Sequence, residues 1–238
     1  MKLLITQPTF LPWIGYYNLI NDADLIVFLD DVQFERRSWQ QRNNIITNKG
    51  LELISIPIIS KGKRKQLIKE TKINIKEFNF AKFKKKIIQN YSKSKFFDKY
   101  GNEFFNVFNK GINQEYLIKL NFDLIQWTCN ILKIKKKFLF SSELNINSKS
   151  TLRIIEIAKS LNINDYITTI GATTYLKKDI KIIKKSGLNV LVHNYNHPIY
   201  NQCFKPFTEY ASIIDLIMNE GEKSLEIIKR GKLPYQKL

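Results

Sequence analysis

Between Thr6 and Arg42 the chain gathers most of its chemistry-bearing side chains. Asp30 and Asp31 are adjacent, and Arg36, Arg37 and Arg42 put three guanidinium groups within seven positions, although the whole chain has only six Arg against a large excess of Lys. Where basic positions are otherwise filled with Lys, these Arg point to the planar, multidentate guanidinium, which suits carboxylate or phosphate. The competing use is a local salt-bridge network with Asp30, Asp31 and Glu35. Of the two aspartates, one is expected to cap the loop or pair with Arg36 or Arg37. The other would bind a sugar hydroxyl or take a proton, and Asp31 is the candidate base. Gln7, Trp13, Tyr16 and Trp39 are amide or amphipathic groups of the kind that line sugar and nucleotide pockets.

Far downstream, His193 and His197 are the only histidines. Their unperturbed pKa lies near neutrality, so either can remove a proton from an amine or hydroxyl. His197 is the better candidate because it precedes a proline in a loop beyond a strand, whereas alternation turns His193 toward the sheet. No nucleophile elbow, P-loop or Gly-x-Gly-x-x-Gly fingerprint is present, and no spacing of His, Cys, Asp or Glu suggests a metal site. Transfer between two bound substrates is simpler than covalent catalysis, and no cofactor is indicated.

These groups need elements to hold them. Leu3 to Ile5 and Leu25 to Leu29 read as strands, and the polar sets follow their carboxyl ends, where open α/β sheets bind ligands. Pro8 and Pro12 bound a tight turn. Trp13, Tyr16, Tyr17 and Ile20 then recur at helical spacing, so a helix N-terminus faces the same region. Gly50 to Ile58 reads as a third strand, and Ile73 and Ile75 as a short one. Three helices are expected between about 79 and 135, the first from Asn79 onward. Strands follow at Phe138 to Phe140, Asp165 to Gly171 and Leu188 to Tyr195. Between them lie a helix over 151–160, capped by Ser148 or Ser150, and one closing at Gly187; the last helix starts near Ser212. The alternation predicts an α/β fold with a mainly parallel, Rossmann-like sheet flanked by helices. Residues 1–60 and 136–238 would form the core, and 61–135 a basic, mostly helical insertion.

The residues also resemble a known family. Gln7-Pro8, Phe10 to Tyr16, Ala23-Asp24, Leu29 to Phe34 and Arg36 to Trp39, with Arg42, look like the opening of the WbqC-like family. Tyr200-x-Gln202, Phe207, Ser212 to Leu216 and Asn219 to Gly221 are similar to its closing motif. The resemblance implies bacterial surface polysaccharide assembly, O-antigen or capsule, with acyl or aminoacyl transfer to an amino sugar as the plausible chemistry. It also adds Gln33, Tyr200 and Gln202 to the substrate-binding candidates Gln7, Trp13, Tyr16, Asp30, Arg36, Arg37, Trp39 and Arg42. A fainter similarity is to nucleotidylyltransferase-like folds, but Trp13-Ile14-Gly15-Tyr16 lacks both histidines of their helix start.

Composition bounds the alternatives. With 44 % hydrophobic residues the 238-residue chain is a globular protein long enough for a sizeable core. Cys129 and Cys203 are too few for a disulfide scaffold, Gln7 and Pro8 break the first apolar run before a secretory segment develops, and no run reaches membrane-spanning length. A cytoplasmic protein is expected. The net charge of +18 is uneven: residues 61–99 hold 14 Lys/Arg against 3 acids, while residues 1–60 hold 5 against 6. That excess suits an acidic acyl carrier protein, with a coenzyme A thioester as the other donor class. Nucleic acid is a weaker partner, because it leaves the opening motif without a purpose. The expectation is therefore a transferase acting on a nucleotide-linked amino sugar; a non-catalytic nucleotide-sugar or nucleic-acid binder is the alternative.

Overall fold

A computed structural model describes all residues, 1–238. The chain forms β1 (Lys2–Thr6), α1 (Ile14–Asp22) and β2 (Leu25–Phe28), then β3 (Arg42–Thr47) and β4 (Gly50–Ser55). Three helices follow, α2 (Phe80–Tyr91), α3 (Phe97–Asn113) and α4 (Leu117–Ile131), before β5 (Lys137–Phe140). Next come α5 (Ser150–Ser160), β6 (Asp165–Thr169), α6 (Ile170–Lys178), α7 (Ile180–Ser186) and β7 (Asn189–His193). The chain ends with α8 (Ile213–Glu220), α9 (Ser224–Arg230) and β8 (Gln236–Lys237).

The main sheet has the order β5-β2-β1-β6-β7-β8, parallel except for the short edge strand β8. The chain lays strands outward from β1 through β2 to β5, then returns to the other side of β1 for β6 and β7. Strand order thus reverses between β1 and β6, the arrangement of a Rossmann-like α/β sheet. Alternation splits the apolar residues between two faces. Leu4, Ile26, Phe28 and Ile167 pack with α1, α3, α4, α8 and α9. Leu3, Ile5, Leu25, Val27 and Tyr166 pack with α5, α6 and α7.

Several local readings differ. Gly50–Ser55 does not join the main sheet; it pairs antiparallel with Arg42–Thr47 as a separate hairpin, closed by Asn48 and Lys49. The polar Arg42-Asn43-Asn44 start disguised its first strand. Ile73 makes only an isolated bridge to Ile58. Neither Ser148 nor Ser150 caps α5, whose N-cap is Lys149; Ser148 instead donates to Glu156. β6 stops at Thr169, and the helix that follows is broken at Asp179 into α6 and α7. Gly187 does end α7 in the left-handed conformation, φ 76°.

The segment that leaves β7 and carries His197 returns to the front of the molecule through a buried polar knot. Asp215, fully buried in the first turn of α8, accepts from the Tyr200 hydroxyl at 2.8 Å and from Gln202 Nε2 at 2.9 Å. Gln202 also binds both the N–H and the C=O of Thr208, fixing the loop between them. Burial pushes the Asp215 carboxyl up to about 6, against the hydrogen bonds from Tyr200, Gln202 and Tyr91 that favour its charged form. A carboxyl raised on folding favours the native state while protonated, and that contribution disappears as pH climbs from the ordinary 3.8 through about 6. Relative to Asp215→Asn, which cannot titrate, the wild type should lose about 3 kcal/mol of stability between pH 4 and 7. Urea melts of both proteins across that range would show a constant difference if the carboxyl titrates normally.

Candidate functional site

The loop after β1 is the seed of the site. Pro8 and Pro12 bend the chain, and Leu11 between them adopts φ 42°, a costly conformation for a branched side chain. Asn43 on β3 holds it there, donating to the carbonyls of Phe10 (3.0 Å) and Leu11 (2.8 Å). Asn121 on α4 donates to Pro8 O and Gln40 O, so two buried amides brace the turn from both sides.

The two ends of the chain meet at the start of α1. Ile213 donates its N–H to Pro12 O at 3.0 Å, and Ser212 donates to Asn44 O at 2.8 Å. Trp13 packs among rings from the C-terminal segment: Tyr195 at 5.5 Å, His197 at 6.0 Å nearly parallel, and Tyr210 at 5.3 Å. A cavity of about 320 Å³ opens beside it, lined by Thr9, Pro12, Trp13, Tyr16, Trp39, Asn43, Asn44 and Tyr210. Trp39 and Tyr210 are 53 % and 56 % exposed, unusual for such large rings. Tyr210 also adopts φ 63°.

Trp13, Tyr16 and Trp39 thus come together in one pocket wall. Tyr16 is anchored by its hydroxyl, which donates to Gln7 O at 3.0 Å. Gln7 lies just behind the turn, where its Oε1 accepts from Gln40 at 2.7 Å. Arg36 and Arg37 are exposed on the loop that ends in Trp39, and neither they nor Arg42 enters an ion pair. The local network with Asp30, Asp31 and Glu35 does not form. Arg37 has φ 59°, and its N–H donates to Gln41 Oε1. Arg42 begins β3 with its Nε buried and unpartnered. No arginine lines the cavity itself.

The remaining candidates lie elsewhere. Asp30 is buried and ties the end of β2 to the residues after β5, accepting from Ser142 N (2.9 Å), Ser142 Oγ (2.7 Å) and Ser141 Oγ (3.2 Å). Asp31 pairs with Arg153 of α5 at 2.5 Å and accepts from Ser141. Burial alone would raise the Asp31 carboxyl, but the Ser141 and Arg153 hydrogen bonds and the Arg153 charge outweigh it and hold it below its ordinary value, which makes it a weaker base. Gln33 is exposed and donates to Arg64 O. Tyr200 and Gln202 belong to the Asp215 knot. No group of three or more His, Cys, Asp and Glu side chains converges in the fold.

The two histidines have opposite surroundings. His193 is buried with Nε2 2.7 Å from Asn18 Oδ1, and since Asn18 Nδ2 donates to Ile228 O, that imidazole nitrogen carries the proton. Burial lowers His193 to about 4, so it stays neutral and structural. His197 lies one ring behind the cavity, flanked by Trp13 and Tyr210. Its Nδ1 is 3.0 Å from Pro198 O, an acceptor, so Nδ1 carries the proton and Nε2 presents a lone pair. Nε2 is buried without a partner. Burial lowers the His197 pKa, keeping the imidazole neutral.

Tyr210, Asn43, Asn44 and Thr9 were not singled out from the sequence, and only the fold brings them to the pocket. Gly15 carried a local signal, lying two residues after Trp13 at a helix start. A Cβ there would sit 2.4 Å from the indole ring, so the ring folds back over the first turn only because Gly15 lacks one. Gly15→Ala should displace Trp13, costing about 1–3 kcal/mol in stability and shifting intrinsic fluorescence. An unchanged melt and emission spectrum would show that the ring has room.

A family model described as the WbqC-like protein family matches residues 7–227. The uncharacterized protein Rv1507c of Mycobacterium tuberculosis is 26 % identical over 229 residues, covering 96 % of this chain and 97 % of its own length. No solved structure matches the chain. No helix is long and apolar enough to cross a membrane. With the family match running from the Pro-bounded turn to α9, the chain belongs to the WbqC-like protein family.

Proposed function

We propose that this protein is a transferase acting on a nucleotide-linked amino sugar in bacterial surface polysaccharide biosynthesis, moving an acyl or aminoacyl group from a thioester to the sugar nitrogen. The observation that carries this reading is the aromatic cavity where the two chain ends meet. Its volume, about 320 Å³, lies within the range of small-molecule sites. Trp13, Trp39 and Tyr210 offer faces to a base or sugar ring, while Thr9 and Asn44 offer polar groups. The exposed, unpaired Arg36 and Arg37 stand on the adjoining loop, and the N-terminus of α1 opens beside Pro12, so a diphosphate has cations and N–H dipoles to meet. The surface polysaccharide context comes from the family resemblance.

In this reading His197 Nε2 takes a proton from the sugar amine as its nitrogen attacks the thioester carbonyl. The new C–N bond forms, the C–S bond breaks, and the thiolate leaves and is protonated. Because Nε2 lies behind Trp13 and Tyr210, those rings must shift for it to reach substrate. The lowered pKa keeps the base neutral, so kcat/KM should hold into pH values below the ordinary histidine range before falling.

The test is a screen of nucleotide-linked amino sugars with acyl-carrier and coenzyme A thioesters, read by mass spectrometry, with sugar binding measured by calorimetry. His197→Ala should lower kcat about 10²–10⁴-fold while leaving the dissociation constant within twofold. Replacing Arg36 and Arg37 together by Ala should weaken sugar binding by about 1.5–3 kcal/mol. Absence of both product and binding across the panel would overturn the proposal. The enclosure of Nε2 favours a second reading, a binder without turnover, for which the screen would give binding, no product and no effect of His197→Ala.

A further inference from the structure

We propose that the free edge of β4 is a docking site for an extended, acidic segment of a partner protein, which adds to the hairpin as a third strand. The register pairs Thr47 with Gly50, Ile45 with Glu52 and Asn43 with Ile54, and pairs Ile46 with Leu51, Asn44 with Leu53 and Arg42 with Ser55. In a two-residue hairpin the closing pair exchanges hydrogen bonds and the pairs alternate from there. Leu51, Leu53 and Ser55 therefore direct their N–H and C=O groups away from β3. The opposite strand obeys the same phase: Ile46 N–H reaches outward to the Tyr91 hydroxyl, and Asn44 O accepts outward from Ser212. β3 thus has partners on its outer side. The outward groups of Leu51, Leu53 and Ser55 have none.

A groove of about 510 Å³ runs beside this edge, floored by Phe78 and Phe83 and rimmed by Leu53, Ser55 and Lys82. Leu51 and Leu53 are 43 % and 46 % exposed. An edge left bare beside an apolar groove is the surface that strand addition uses, with backbone bonds supplying affinity and alternate side chains supplying selectivity. Edges are ordinarily blunted by charge, proline or cover, but none of the three outward residues is charged or proline.

Charge selects the occupant. Glu52 is already paired with Lys86, Glu77 on the rim is matched by Lys82, and α2 carries Lys84 and Lys85 besides. The surrounding segment 61–99 holds 14 basic residues against 3 acidic ones. A second copy, itself at +18, would bring like charges together along the shared edge, whereas an acidic strand meets complementary potential. The occupant is an extended stretch of alternating apolar and acidic residues, its apolar side chains turned to Phe78 and Phe83 and its carboxylates on the opposite, open face, attracted by the field of the basic chain rather than by paired contacts. This inference does not depend on the transferase reading.

The probe is a fluorescein-labelled octapeptide of alternating Val and Asp, titrated with the full-length protein at low salt. It should bind, and its counterpart with Lys in place of Asp should bind at least about tenfold more weakly, a difference of about 1.4 kcal/mol. Because alternate residues of a strand aim their N–H groups to the same side, methylating the backbone nitrogens of one set, all Val or all Asp, should weaken binding about tenfold or more. Methylating the other set should change it less than twofold. Leu53→Pro removes one outward donor at a position where an edge strand tolerates proline and should weaken binding. Should that variant melt early, Lys82→Glu on the surface of α2 provides the second test, with weakened binding expected and an unchanged melt. Absence of binding at millimolar protein, equal loss with both methylated sets, or equal affinity for the Lys peptide would overturn the proposal. So would self-association through this edge, seen as a dimer in sedimentation that Leu53→Pro dissolves.

Discussion

The pocket depends on one closure, the packing of Trp13 against the C-terminal segment at the first turn of α1. Residues more than 180 positions apart in sequence are brought into ring contact there, and two backbone hydrogen bonds, Ile213 to Pro12 and Ser212 to Asn44, fix the approach. The closure is possible because the front of the chain turns sharply between two prolines and because Gly15 leaves room for the indole. Ring packing of this kind contributes about 0.5–1.5 kcal/mol per pair beyond area burial. The greater consequence is geometric, since Trp13 and Tyr210, two of the rings that join the ends, also line the cavity.

The strands and the helix around this closure were legible because their signals are local. Leu3 to Ile5 and Leu25 to Leu29 are short apolar runs that end in polar residues, and Trp13, Tyr16, Tyr17 and Ile20 repeat with helical period. The topology followed from the same alternation, since strand-helix-strand units favour parallel pairing with right-handed crossovers. The β3–β4 hairpin was not legible in full. Asn43 and Asn44 are poor strand formers, and they occupy β3 because their side chains and carbonyls serve the turn and the C-terminal segment. Tertiary hydrogen bonds override propensity at those positions.

The site residues divide along the same line. The aromatic candidates of the opening motif assemble because they lie on elements adjacent in sequence. Partners of the charged candidates depended on distant segments: Asp31 meets Arg153, 122 positions away, rather than its neighbours Arg36 and Arg37. An arginine from the first turn of α5 reaches the end of β2 because the crossover from β5 to β6 carries α5 under β2 and β1. Nothing local in Leu29-Asp30-Asp31 could indicate that. With Asp31 so engaged, Arg36 and Arg37 are left without acidic partners, and the unpaired guanidinium groups beside Trp39 are a product of the fold's topology.

Three of the eight non-glycine residues with positive φ lie at the cavity wall; the other five, Glu115, Lys133, Asn145, Ser150 and Asn162, lie elsewhere. Leu11, Arg37 and Tyr210 all adopt positive φ, and each lies in or next to the cavity wall, Leu11 beside Pro12, Arg37 on the loop into Trp39, Tyr210 in the wall itself. None is a residue that tolerates this conformation cheaped by a small side chain, and each such conformation costs about 1–3 kcal/mol. The surroundings over-determine them: Asn43 grips the carbonyl of Leu11, Gln41 accepts from the N–H of Arg37, and the Asp215 knot with the Ser212–Asn44 bond confines the loop before and after Tyr210. Buried, satisfied polar groups of this kind rigidify what they hold. A wall whose backbone is held at a cost by surrounding amides and carboxylates has little backbone freedom left to lose when a ring-shaped ligand enters, which lowers the entropic penalty of binding and leaves the movement to the Trp13 and Tyr210 rings.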